Sequence, residues 1–197
     1  MLTWFTRPRE TLEAQLGVLA ECGLAIERPW GIADVRSALT GFDRGLPPYL
    51  RLLLALGQVR NAAARTPPTL CPRVLQIPAR CIDGPGAYGR LFAGLARMLG
   101  PEFPARDGQD VLSQAERRGS LSFEIGDVRH HWTLRVMDDW VDETLLVRVN
   151  HMLEEHGGRL RLRQVPVGEH HLLLVAATSA DSRRCAQRTG LALREIL

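Results

Sequence analysis

Residues 121–136 read Leu-Ser-Phe-Glu-Ile-Gly-Asp-Val-Arg-His-His-Trp-Thr-Leu-Arg-Val, and this stretch decides the fold class. Leu121, Phe123 and Ile125 alternate with Ser122 and Glu124. After Gly126 and Asp127, the residues Val128, His130, Trp132, Leu134 and Val136 alternate again. A period of two marks half-buried strands, and a two-residue connection with glycine first suits a tight hairpin turn. The expected register sets Ile125 opposite Val128, Glu124 opposite Arg129, Phe123 opposite His130 and Ser122 opposite His131. One face is then apolar and the other polar.

Working outward, Asp139 or Asp142 can cap a helix that turns Leu145, Leu146, Val149, Met152 and Leu153 toward a core, with Gly157 and Gly158 ending it. Two more strands are expected over 159–166 and 170–177. The second is apolar on both faces, as a central strand would be. A short helix to about residue 188 closes the chain before Gly190. The order is ββαββα, a weak pseudo-repeat of structure in which the residues themselves do not repeat. It predicts an α+β fold, with an antiparallel or mixed sheet and packed helices.

The first half reads as helix-rich. Pro8 is placed as the first residue of a helix over 8–22, a short strand is expected around Leu24 and Ile26, and helices over 34–39, 49–56 and 88–99 follow. Residues 58–72 hold three prolines and read as a loop, 74–77 as a strand, and 100–108 as another loop. The chain is expected to be one domain, with two lobes over 1–105 and 106–197 as the alternative.

Composition excludes more than it proposes. All 25 basic residues are arginine, so there is no Schiff-base lysine and no lysine for a phosphate-binding loop. A GC-rich bacterial coding sequence is the expected cause of that bias, with selection against lysine modification as the alternative. The net charge of +3 and pI of about 8.9 are mild, and the arginines are dispersed, which argues against nucleic acid as partner. The apolar runs 52–56 and 172–177 are far too short to span a bilayer. An apolar start broken at once by Arg7, Pro8 and Arg9 does not make a signal peptide, so a cytoplasmic location is expected. Cys22, Cys71, Cys81 and Cys185 lack metal-knuckle spacing and read as free, partly buried thiols.

Several motifs have a sharp reading and a plain one. Gly84, Gly86 and Gly89 spell G-x-G-x-x-G, but Pro85 stiffens the turn and no acidic ribose ligand follows on a second strand. A glycine-rich start to a helix is the better account. Neighbouring strand residues point to opposite faces, so His130-His131 and His170-His171 cannot chelate one ion as pairs. No metal or other cofactor is expected, although His131 and His171 could meet across strands with Glu124 or Asp138 as third ligand. Ser122 opposite His131, with Glu124 or Asp138, also outlines a small hydrolase or metal-dependent enzyme. No nucleophile turn such as G-x-S-x-G accompanies it, and a solvated face with a Glu124–Arg129 ion pair is preferred. Arg159, Arg161 and Arg163 fall on one face of a strand. With Arg129 and Arg135 they make the best candidate for recognising an acidic partner, since guanidinium groups bind carboxylates bidentately.

The segment 121–177 also resembles small bacterial immunity-type proteins. The resemblance rests on Trp132-Thr133-Leu134-Arg135-Val136, on Asp138-Asp139-Trp140-Val141-Asp142 and on the closing Leu172-Leu173-Leu174-Val175. It implies a non-catalytic cytoplasmic protein that binds and blocks a cognate toxin. The basic balance of this chain departs from the acidic character of nuclease-blocking immunity proteins, which suits a toxin with an acidic surface instead. The expected partner-binding residues are Arg129, Arg135, Trp140, Arg159, Arg161 and Arg163.

Overall fold

The computed structural model describes residues 10–59, 68–113 and 115–196. In chain order the helices are α1 (Leu12–Glu21), α2 (Ile32–Leu39), α3 (Pro48–Gly57), α4 (Ala87–Leu99), α5 (Thr144–Glu155) and α6 (Ser179–Thr189). The strands are β1 (Val74–Pro78), β2 (Ala105–Ser113), β3 (Arg118–Ile125), β4 (Val128–Arg135), β5 (Arg161–Val165), β6 (His171–Ala177) and β7 (Arg194–Glu195). They form two antiparallel sheets, ordered β1-β6-β5-β7 and β2-β3-β4, so the chain is α+β. Among the described residues no helix is long and apolar enough to cross a membrane.

The β3–β4 register is the expected one, with Ile125 opposite Val128, Phe123 opposite His130 and Ser122 opposite His131. The two hairpins of the ββαββα order lie in different sheets, with β2 added before the first and β7 after the second. β6 is central in its sheet and buried on both faces. Leu172, Leu174 and Ala176 join one apolar cluster, and Leu173, Val175 and Ala177 join the other. The second cluster packs α1, α2 and α3 against that sheet. The first fills the space between the opposite face and the inner face of β2-β3-β4, with α4 and α5 inside it. The layers therefore run helices, sheet, helices, sheet. The alternative division at residue 105/106 falls inside β2, and each cluster draws residues from both sides of it.

Three local expectations are corrected. Pro8 lies outside the described residues, and α1 begins only at Leu12, because the Thr11 hydroxyl accepts from the Ala14 N–H at 3.2 Å and caps it there. Leu24 and Ile26 form no strand. Leu24 is buried in the core without a ladder, its N–H bonding the Leu19 carbonyl at 2.9 Å, and Glu27 N–H bonds the Leu70 carbonyl at 2.9 Å. The loop expected over 100–108 is a 3₁₀ turn (Gly100–Glu102) followed by the start of β2.

Candidate protein-binding surface

The outer face of β2-β3-β4 carries rows set by register. Arg106, Glu124 and Arg129 make one row, Gln109, Ser122 and His131 the next, and Ser113, Arg118 and Arg135 the last. Glu124 is engaged by Arg106, whose Nε lies 3.4 Å from Oε2, while Arg106 Nη2 donates to the Gly126 carbonyl at 2.8 Å. Glu124 therefore pairs with an arginine of β2, on the side away from Arg129. At the other end Arg118 and Arg135 are directly opposite each other and both exposed. Like charges in facing positions repel, so this row is unfavourable in the isolated protein and favours an anionic neighbour.

Immediately after Arg135 the chain makes a tight, well-held turn. Asp142 is 3% exposed, and its carboxylate accepts from Arg135 N–H at 2.8 Å, from Thr144 N–H at 3.1 Å and from the Thr144 hydroxyl at 2.8 Å. Its own N–H donates to the Tyr88 hydroxyl at 2.9 Å. Burial pushes the Tyr88 phenol up to about 12, against the opposing hydrogen bond from Asp142 N–H. Val136 N–H bonds the Arg117 carbonyl, Val141 N–H the Ala79 carbonyl, and Ile82 N–H the Asp139 carbonyl. Asp138 takes φ 53°, which reverses the chain so that Met137 and Trp140 bridge one another.

The product of this scaffold is an apolar pair facing solvent. Met137 is 49% and Trp140 37% exposed. The Arg80 guanidinium carbon lies 5.7 Å from the centre of the Trp140 ring, and Arg80 Nε is held by Asp139 Oδ1 at 2.7 Å. A tryptophan and a methionine on a hydrogen-bonded turn, with an arginine from the segment after β1 over the indole ring, are residue types enriched at binding interfaces, and a turn held in place spares the ordering entropy of association.

Of the six residues expected to bind a partner, only Arg135 and Trp140 meet here. Arg129 shares the outer face but stands six residues back along β4, about 20 Å away at the rise of a strand. Arg159, Arg161 and Arg163 belong to the other sheet region and do not form a solvated stripe. Arg163 is 5% exposed, with Nη2 3.1 Å from Glu195 Oε1 and 3.4 Å from the Ser179 hydroxyl. It is buried because β7 and the start of α6 close over that face of β5, elements that strand periodicity alone does not reveal. Arg161 turns back to the carbonyls of Gly158 and Leu160 at 2.7 and 2.8 Å. Arg159 is exposed and precedes the strand. Met137, Arg80, Tyr88 and Asp142 were not singled out as site residues by the sequence. The available signal was the Met-Asp-Asp-Trp run directly after a strand.

The remaining motifs resolve in physical terms. Ser122 Oγ and His131 Nδ1 are 3.0 Å apart, as the register requires. Ser122 nevertheless lies in mid-strand, and Asp138 lies in the turn beyond the far end of β4 from His131. His171 contacts Gln76 on β1 at 3.3 Å, and among the described residues no three His, Cys, Asp or Glu side chains group to hold a metal. The glycines of G-x-G-x-x-G do open α4. The place a phosphate would take is occupied by Asp110, which accepts from Gly86 N–H at 2.6 Å and Tyr88 N–H at 2.8 Å. Burial raises the thiols of Cys22 and Cys81 to about 11 and that of Cys71 to about 12, and raises that of Cys185 as well. None has the low pKa of a resting thiolate nucleophile. Comparison of the chain with protein-family models, with curated proteins and with solved structures found no match.

Proposed function

We propose that this chain is a non-catalytic protein-binding module of the immunity or antitoxin type, which neutralises its partner by covering an acidic surface. The contact is centred on Met137 and Trp140 and rimmed by Arg80, Arg118 and Arg135. The observation that carries the reading is the like-charged Arg118–Arg135 row beside a solvent-facing tryptophan on a turn fixed by Asp142. An acidic partner would relieve the repulsion of that row while burying the apolar pair.

The test compares the wild-type chain with a Trp140→Ala/Arg135→Glu double variant as baits in the native lysate, with bound proteins quantified by mass spectrometry. One stoichiometric acidic protein should be retained by the wild type and depleted about tenfold or more by the double variant. Equal retention by both would overturn the assigned surface. The alternative reading is a small hydrolase, favoured by the Ser122–His131 hydrogen bond. It predicts a turnover that His131→Ala abolishes, whereas in the binding reading His131→Ala leaves partner capture unchanged.

A further inference from the structure

β4 is an edge strand, since its sheet is ordered β2-β3-β4. Its register with β3 runs unbroken from Val128 to Arg135, and it carries neither a bulge nor a proline to blunt that edge. Successive strand residues turn their main-chain groups to opposite sides. Val136 N–H bonds the Arg117 carbonyl at 3.1 Å on the β3 side, so Val128, His130, Trp132 and Leu134 serve the ladder. Arg129, His131, Thr133 and Arg135 therefore present their N–H and C=O groups outward. The edge is closed at its C-terminal end, where Arg135 N–H donates to the Asp142 carboxylate at 2.8 Å and the Thr133 carbonyl accepts from Arg148 Nη1 at 2.7 Å. Before that point it is open. Among the described residues, the N–H groups of Arg129, His131 and Thr133 and the carbonyls of Arg129 and His131 have no hydrogen-bond partner.

We propose that this edge takes up one short, extended, acidic segment of the protein partner as an added strand. The proposal rests on the acidic-partner reading above and names the form in which part of that partner binds. Charge selects the occupant. The residues that turn their main chain outward also carry side chains on the outer face, and the guanidinium groups of Arg118, Arg129 and Arg135 have no carboxylate partner among the described residues. Aspartate or glutamate at alternate positions of the incoming strand would stand beside Arg129 and Arg135, whereas a basic strand would meet like charge there. The intervening positions fall beside His130, stacked on Phe123 at 5.1 Å between ring centres, and Trp132, packed against the first apolar cluster. These positions suit apolar residues. The edge is already ordered by its ladder with β3, so the incoming segment alone has to be ordered. Main-chain bonds then supply affinity, and alternate side chains supply selectivity. The strand leads directly into the turn that bears Met137 and Trp140, so a partner seated on that turn has the edge within reach.

The test titrates the full chain with a capped hexapeptide of alternating glutamate and valine, and follows affinity by calorimetry and amide hydrogen exchange by NMR. The peptide should slow exchange at the Arg129, His131 and Thr133 amides by about tenfold or more, and its lysine-for-glutamate counterpart should bind at least about tenfold more weakly. Thr133→Pro deletes an outward N–H and spares the ladder with β3, as proline can on an edge. Its affinity should fall about tenfold below that of Thr133→Ala, which keeps the N–H. Where Thr133→Pro does not keep the wild-type circular dichroism, the exchange pattern of the wild type decides alone. Unprotected amides at millimolar peptide, or equal binding of the lysine peptide, would overturn the proposal. So would dimerisation through the same amides without peptide, seen by sedimentation, which makes a second copy the occupant. Failure of the parent reading looks different, because it is equal lysate capture by the wild type and the Trp140→Ala/Arg135→Glu variant and leaves the peptide result unchanged.

Discussion

Asp142 ties three segments together, two through its buried carboxylate and one through its backbone N–H. It holds the end of β4 through Arg135, the start of α5 through Thr144, and α4 through Tyr88. Removing the carboxylate leaves the Arg135 and Thr144 donors without their partner. Asp142→Ala should destabilise the fold by about 2–4 kcal/mol in urea denaturation. It should also weaken partner capture, although Asp142 is buried, because Met137 and Trp140 lose their anchorage. Tyr88 permits a pH test. The folded protein holds its phenol at about 12, above the ordinary value of about 10. The folded state therefore binds more protons than the unfolded state between those values. The stabilisation from Tyr88 is complete below pH 10 and is lost as pH rises toward 12. Tyr49 is raised to about 12 as well, by burial and by its bond to Glu10, so neither of the two tyrosines should show an absorbance midpoint near 10 at 295 nm. Tyr88→Phe should flatten the loss of stability across that pH window.

At the scale of elements, legibility in the sequence followed the strength of the periodic signal. The β3–β4 hairpin could be read to the residue, because apolar alternation and the Gly126-Asp127 turn both specify the same register. β2 could not. Its residues run Ala-Arg-Asp-Gly-Gln-Asp-Val-Leu-Ser, and its pairing with β3 shifts between Arg106 and Gln109, where Asp107 takes φ 55°. A bulge breaks the period, and the strand is recruited by its neighbour's ladder rather than by its own pattern. The arginine stripe failed for a related reason. Spacing placed Arg161 and Arg163 on one face of β5 correctly, but it carried no information about the α6 and β7 residues that bury Arg163 there. Trp140 needed no such long-range knowledge, since its turn is local. The contact between α3 and β1 offers a direct test of packing between elements. A Cβ on Gly57 would stand 2.8 Å from Val74 Cγ1 and 2.9 Å from the Gln76 backbone nitrogen. Backbone cannot swing aside as a side chain can. Gly57→Ala should cost about 1–3 kcal/mol despite its gain in helix propensity, measured by the shift in urea midpoint at constant m-value.

The whole molecule is organised around β6. Leu173 and Leu174 are adjacent in sequence, both fully buried, and they belong to different apolar clusters. A strand that serves as the common wall of two cores should make them fail together. Leu173→Ala and Leu174→Ala should each lower stability by about 2–5 kcal/mol, and both should leave one unfolding transition when circular dichroism and tryptophan fluorescence are followed together. Two separated transitions in either variant would show that the clusters unfold independently. The same wall sets a timetable for synthesis. β1 emerges from the ribosome about a hundred residues before the strand it pairs with, and Val74, Leu75 and Ile77 must wait without a ladder until β6 follows. The earliest strand among the described residues is thus among the last to be sheltered, and its edge stays open to pairing with other chains until translation is nearly complete.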